Sequence, residues 1–282
     1  MSTNLSGKRA FITGAAGGIG RELVGALLEA GCFVDAADID KHGLDALRNL
    51  YDQSKLNTMV LDISSSEACQ LAINSTETTD ILINNAGASM GLIRENHLDE
   101  LVSIDELLPE TWDHFINTNL SGAWYLTRAV IPRMKKKQWG RIINVTTSFF
   151  TMLRPMFHPY GPAKAALEAM SAGHAGEFAR HGITVNVVVP GGPCDTPMVP
   201  AVTNIKRELL IPPRTMVAPT LWLCSKDADD VTGKRYVAAH WDTKKISPKR
   251  ELRLKRKLHG NNYQDHQYGQ VESLIKYMER KC

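Results

Sequence analysis

Seven apolar runs bounded by turn residues, separated by stretches of helical period, constrain this chain more than any other feature of it. They lie at about residues 8–13 (KRAFIT), 32–37 (CFVDAA), 57–61, 80–84 (DILIN), 140–146 (GRIINVT), 183–189 (ITVNVVV) and 234–238. Strands joined through helices pair by crossovers, so the alternation predicts repeated βαβ units and a doubly wound parallel sheet. Such a sheet takes its ligand at the carboxyl ends of its strands, near the switch in strand order. Motifs that directly follow a strand therefore carry the functional information.

The first strand runs into TGAAGGIG, which sets Gly14, Gly18, Ile19 and Gly20 between it and a helix whose Leu23, Leu27 and Ala30 share a face. Glycines there let the backbone turn sharply and approach a pyrophosphate, which the unpaired N–H groups and the dipole of a helix N-terminus attract. The second strand ends at Asp38, whose carboxylate is placed to accept hydrogen bonds from adenosine ribose hydroxyls and to repel a 2′-phosphate. No Arg or Lys stands beside Asp38 or inside the glycine turn, and Lys41 is separated from it by two residues. NAD is thus expected over NADP. Asp62, closing the third strand in LDIS, is positioned to meet the adenine amino group.

Further along stand NNAG, with Asn85, Ala86 and Gly87, then Asn119 in NTNLSG, then YGPAK at Tyr160–Lys164. In this order and spacing the four motifs resemble the short-chain dehydrogenase/reductase family, over about residues 6–242. The resemblance implies a Rossmann-type α/β fold in a single domain (1–242) and an NAD(P)-dependent oxidoreductase acting on a small alcohol or ketone. It also implies a homodimer or homotetramer. Asn85, Ala86 and Gly87 join the cofactor site by the same resemblance.

The chemistry explains the residue types. Tyr160 and Lys164 are one helical turn apart on one side, so the ammonium can favour the ionised phenol. A free phenol has a pKa of about 10, too high for a base near neutrality. By resemblance Lys164 also holds the nicotinamide ribose, and Tyr160 exchanges a proton with the substrate oxygen. The family places a serine about thirteen residues before its tyrosine, and here that count reaches Thr147, with Ser148 beside it. Either hydroxyl supplies the donor that polarises a carbonyl. Asn119 is a poor helix former in mid-helix and is expected to open the helix around a proton-relay water. PGGPCDTPM, at Pro190–Met198, resembles the family's segment against the nicotinamide amide, one residue longer, with Pro190, Gly191 and Thr196 as its contacts.

Residues 88–109 and 193–215 are expected to line the substrate pocket. Met90, Leu92, Ile93, Leu153, Met156, Phe157, Met198 and Val199 suit an apolar or moderately bulky substrate, and core packing accounts for them equally well. His158 is read as a loop histidine. The rival within the enzyme class is an NADP-dependent carbonyl or 3-oxoacyl reductase; outside it, a non-catalytic NAD-binding regulatory or scaffold protein.

Composition sets outer limits. The 282 residues, 43% hydrophobic and 22% charged, suit a globular α/β protein. The N-terminus carries no apolar targeting segment and no later stretch reads as a membrane span, which predicts a cytoplasmic protein. Five scattered cysteines without a CxxC pair point to neither a disulfide framework nor a metal site. Residues 243–282 carry +7, against −4 for the rest. This basic extension is expected to be largely unstructured, with a short terminal helix carrying Val271, Leu274, Ile275 and Met278; nucleic-acid or membrane contact is the less favoured reading.

Overall fold

The computed structural model of the chain describes residues 3–242; the basic extension and its expected helix lie outside the described residues. All seven expected strands form: β1 Arg9–Thr13, β2 Phe33–Asp38, β3 Leu56–Val60, β4 Ile81–Asn84, β5 Gly140–Val145, β6 Ile183–Val189 and β7 Arg235–Val237. They pair in parallel in the order β3-β2-β1-β4-β5-β6-β7. The order reverses between β1 and β4, which opens a crevice beyond their carboxyl ends.

Between them lie helices α1 Gly18–Glu29, α2 Lys41–Leu50, α3 Ser66–Ser75, α4 Pro109–Ile116, α5 Gly122–Lys137, α6 Phe149–Leu153, α7 Tyr160–Phe178 and α8 Val217–Cys224. Successive strand residues point to opposite faces, and the core divides accordingly. Ile12, Ile83 and Ile143 pack with Leu23 and Leu27 of α1, Leu47 of α2 and Leu223 of α8. Their neighbours Phe11, Leu82 and Ile142 face the other way, against Ile73 of α3, Leu126 and Val130 of α5 and Phe178 of α7. Continuous apolar runs are what a sheet covered on both faces requires.

Helix starts differ in a way that matters for function. Asp40 caps α2 by accepting from the Gly43 N–H at 3.0 Å, and Ser65 caps α3 by accepting from Ala68 at 3.2 Å. No side chain caps α1, whose first turn is the glycine-rich loop. That turn leaves no room for a side chain at Gly20, where a Cβ would stand 2.0 Å from the Gly14 carbonyl oxygen.

Residues 88–108, following β4, form short 3₁₀ turns at Met90–Leu92 and Ile104–Glu106 in place of a long crossover helix. Arg94 ties this segment together by donating to the Leu101 carbonyl at 2.8 Å and pairing with Glu100 and Glu106.

Candidate active site

The glycine turn, NNAG and Asp38 form one hydrogen-bonded unit. Thr13, the last residue of β1, accepts from the backbone N–H groups of Asn85 and Ala86, both at 3.1 Å. The Asn85 amide donates to the carbonyls of Thr13 and Gly14 at 3.0 Å, so its side chain closes the turn. Asp38 accepts from Ala16 N–H at 2.8 Å through one oxygen and from Asp40 N–H at 2.9 Å through the other. Each oxygen retains a lone pair for a ribose hydroxyl. The uncapped N–H groups of Gly18, Ile19 and Gly20 fit a pyrophosphate on the same side. Ile19 itself is half-buried against the core.

Two further positions bear on the nucleotide end of the site. Asp62 is exposed, and its Oδ1 accepts from the Ser64 N–H and hydroxyl. The glycine turn also has a cation, because Arg21, the residue directly after Gly20, turns back to donate from Nε to the Ala16 carbonyl at 2.6 Å.

At the end of β5 the fold gathers the remaining groups. Lys164 is buried in α7 and donates to the Val145 carbonyl at 3.1 Å. Its ammonium lies 5.9 Å from the centre of the Tyr160 ring. The Thr147 side chain neighbours the Tyr160 phenol and pulls its pKa down, against the larger effect of burial. Ser148 is occupied elsewhere, capping α6 by accepting from Thr151 N–H at 3.0 Å. The two hydroxyls left open by the sequence thus have different surroundings, Thr147 beside the phenol and Ser148 at the start of α6.

Asn119 opens its helix as expected. Asn117–Ser121 is a π-helical segment between α4 and α5. The Asn119 side chain is buried and clamps Ala88, accepting from its N–H at 2.7 Å and donating to its carbonyl at 3.2 Å. Gly87 lies in the angle between them, where a Cβ would stand 2.8 Å from Asn119 Oδ1 and 3.3 Å from Lys164 Nζ.

Phe157 packs edge-on to Tyr160, with ring centres 5.9 Å apart, in a cluster with Met90, Val102 and Phe115. Of the expected pocket residues, Met90, Phe157 and Val199 are buried, whereas Leu92, Leu153, Met156 and Met198 are exposed. Beyond β6, the Pro190 carbonyl accepts from Ala239 at 3.0 Å, and Gly191 abuts Val237. Thr196 reaches over the glycine turn, where a Cβ on Gly18 would meet its methyl at 2.6 Å.

A parallel sheet with an uncapped glycine turn at its switch point, and a half-buried Tyr160 next to a buried Lys164 at the end of β5, defines an α/β protein of the dinucleotide-binding class. The profile of the short chain dehydrogenase family matches residues 8–206, and the chain belongs to that family, a family of nicotinamide-dependent oxidoreductases. It is 33% identical to the 3-oxoacyl-(acyl-carrier-protein) reductase FabG of Vibrio harveyi, over 82% of this chain and 95% of that one. It is 29% identical to gluconate 5-dehydrogenase of Gluconobacter oxydans, over 67% and 72%. Among solved structures it resembles a gluconate 5-dehydrogenase from Burkholderia cenocepacia in complex with NADP and tartrate. That match has a TM-score of 0.72 and 26% identity, covering 84% of this chain and 95% of that one.

Two residues that touch this site were missed by motif reading, Glu168 and Arg235. The first had a signal, because it continues the four-residue spacing of Tyr160 and Lys164 along α7. The second had none, since β7 brings it in from 67 residues further on.

Burial governs the two titratable groups. Desolvation pushes the Tyr160 phenol up to about 12, against the smaller opposing pull of the Thr147 side chain. It pushes Lys164 down to about 8 from 10.5. The protein alone thus favours the neutral form of each. For Lys164 the shift corresponds to about 3 kcal/mol of destabilisation at a pH below 8, where folded and unfolded states are both charged. Between pH 8 and 10.5 the unfolded lysine holds its proton while the folded one releases it, so the cost fades as pH rises. Lys164→Met is therefore expected to be about 2 kcal/mol more stable than the unaltered protein at pH 7, after allowance for the lost hydrogen bond. Denaturant unfolding should show that advantage shrinking by pH 9.5; an advantage independent of pH would contradict the burial argument.

Proposed function

We propose that the protein interconverts a secondary alcohol and its ketone with NAD(H), Tyr160 acting as acid and base. The observation that carries this reading is Tyr160, with Thr147 beside it, one helical turn from a buried Lys164 whose ammonium lies 5.9 Å from the phenol ring centre. A bound nicotinamide gives or takes the hydride. In the reducing direction Tyr160 gives its proton to the developing alkoxide, while the Thr147 hydroxyl donates a hydrogen bond to the same oxygen. The Lys164 ammonium stabilises the resulting phenolate and holds the nicotinamide ribose. Asn119 fixes the Ala88 loop, and the wide turn around it frees backbone carbonyls for a relay water. Pro190, Gly191 and Thr196 close over the nicotinamide amide. Gly14, Gly18, Ile19 and Gly20 take the pyrophosphate, with Ala86 and Gly87 beside it; Asp62 faces the adenine.

NAD is proposed because Asp38 offers two ribose-accepting oxygens and repels a 2′-phosphate. A second reading, an NADP-dependent carbonyl or 3-oxoacyl reductase, is favoured by Arg21 at the glycine turn and by the NADP held by the Burkholderia enzyme. Residues 1–242 form the catalytic domain in this reading, and 243–282 are an appendage to it. The protein is proposed to act in the cytoplasm as a homodimer or homotetramer. Support for self-association comes from an apolar cleft between α5 and α7, lined by Leu120, Trp124, Tyr125, Ala166 and Met170, with Trp124 44% exposed.

Tyr160→Phe should lower turnover by at least about 1,000-fold while dinucleotide binding persists. Assays would use cyclohexanol, gluconate and an acetoacetyl thioester, with their ketone or alcohol counterparts; retained turnover would refute the assignment. Fluorescence titration is expected to give tighter binding of NADH than NADPH, with Asp38→Ala narrowing the gap by about tenfold. Tighter NADPH binding by the unaltered protein would select the second reading. Trp124→Glu should reduce the assembly in sedimentation velocity, and an unchanged sedimentation coefficient would move the interface elsewhere.

A further inference from the structure

One face of α7 grips the segment that continues β5, residue by residue. Tyr160, Lys164 and Glu168 succeed one another at intervals of four and so point the same way. Tyr160 neighbours the Thr147 side chain, Lys164 donates to the Val145 carbonyl at 3.1 Å, and Glu168 accepts from the Thr146 hydroxyl at 2.6 Å. The same Glu168 oxygen accepts Arg235 Nε at 2.9 Å, and Arg235 Nη2 donates to the Thr147 carbonyl at 2.9 Å. The guanidinium also lies 4.3 Å from the centre of the Phe149 ring. The sheet ladder holds this segment only as far as Thr146, whose N–H donates to Val188 at 3.3 Å. Beyond that residue its direction depends on side chains, and one planar cation touches Thr147 and Phe149 directly and Thr146 through Glu168.

We propose that Arg235, braced by Glu168, is a positioning residue that sets the rotation of residues 146–148 and so directs the Thr147 hydroxyl, and not that of Ser148, at Tyr160. The inference rests on the proposed role of Thr147. A fork is needed because one donor must meet the carboxylate while another meets the carbonyl, which a single ammonium on a shorter reach does not reproduce. Arg235 also balances the Glu168 carboxylate, one helical turn from Lys164.

The test is a crystal structure of Arg235→Ala together with a double-mutant cycle on Thr147 and Arg235. In the crystal structure the Thr147 hydroxyl is expected to shift away from Tyr160 relative to its place in the unaltered protein; an unmoved Thr147 overturns the proposal whether or not a substrate is in hand. In turnover of the best substrate from the panel above, Arg235→Ala is expected to lower kcat on the order of 10- to 100-fold, with the KM for the dinucleotide little changed. In a Thr147→Ala background the same substitution should cost less than about threefold more, because its target is gone. Arg235→Lys should recover only a minor part of kcat. Multiplicative losses, full recovery by lysine, or no loss from Arg235→Ala each overturn the proposal. If Arg235→Ala fails to fold, Glu168→Ala takes its place in the cycle with the same expectations. When Thr147→Ala and Tyr160→Phe both lose turnover but the cycle is additive, the inference alone fails; when either keeps turnover, the reading of the site fails first and takes the inference with it.

Discussion

The site depends on a lysine held where a cation is costly. Lys164 sits against the end of β5 with its ammonium on the Val145 carbonyl, and its solvation is replaced by a hydrogen bond and by whatever charge the neighbouring phenol acquires. Such a group costs the folded protein stability at neutral pH. The surrounding architecture works to keep it there. The β5–β6 ladder fixes the carbonyl, α7 fixes the side chain, and Gly87 leaves the space that keeps Asn119 and the ammonium close together.

Around that group, the two halves of the sheet meet through short bonds at the point where strand order reverses. Thr13 and Asn85 join the end of β1 to the loop after β4, and Asn119 joins that loop to the wide turn between α4 and α5. The nucleotide end and the proton-transfer end are therefore one rigid chain of contacts. Small displacements in either half reach the other, which is how a site assembled from loops gains the placement that catalysis demands.

Much of the fold was legible because its signals are local. Seven strands surrounded by helices leave apolar runs and turn residues in sequence, and β1, β2 and β6 fall within a residue or so of where those runs place them. Tyr160 and Lys164 were legible for a similar reason, sharing one turn of one helix. Arg21 directly follows Gly20 and was within reach of the sequence, though only the fold shows it turned back to Ala16, whereas Arg235 was not, because only the β6–β7 pairing brings it to Thr147. Spacing leaves Thr147 and Ser148 equivalent, whereas the fold gives them different neighbours, Ser148 accepting from Thr151 N–H at the start of α6. The phenol, expected to be eased toward ionisation by its lysine, is instead pushed up by burial in the protein alone, an effect of depth that sequence does not record.

The π-helical segment couples the site to the core. α4 and α5 amount to a single helix carrying one surplus residue at Asn117–Ser121. Each residue of a helix turns the chain by about 100°, so losing that one would swing everything on one side of it relative to the other. Asn119 would leave Ala88, and Trp124 would leave the cleft it shares with Met170, while each half of the helix remained a good helix. A one-residue deletion there thus acts on site and core together, because the rotation that takes Asn119 off Ala88 also turns Leu126 and Val130 of α5 away from Leu82 and Ile142 of the sheet.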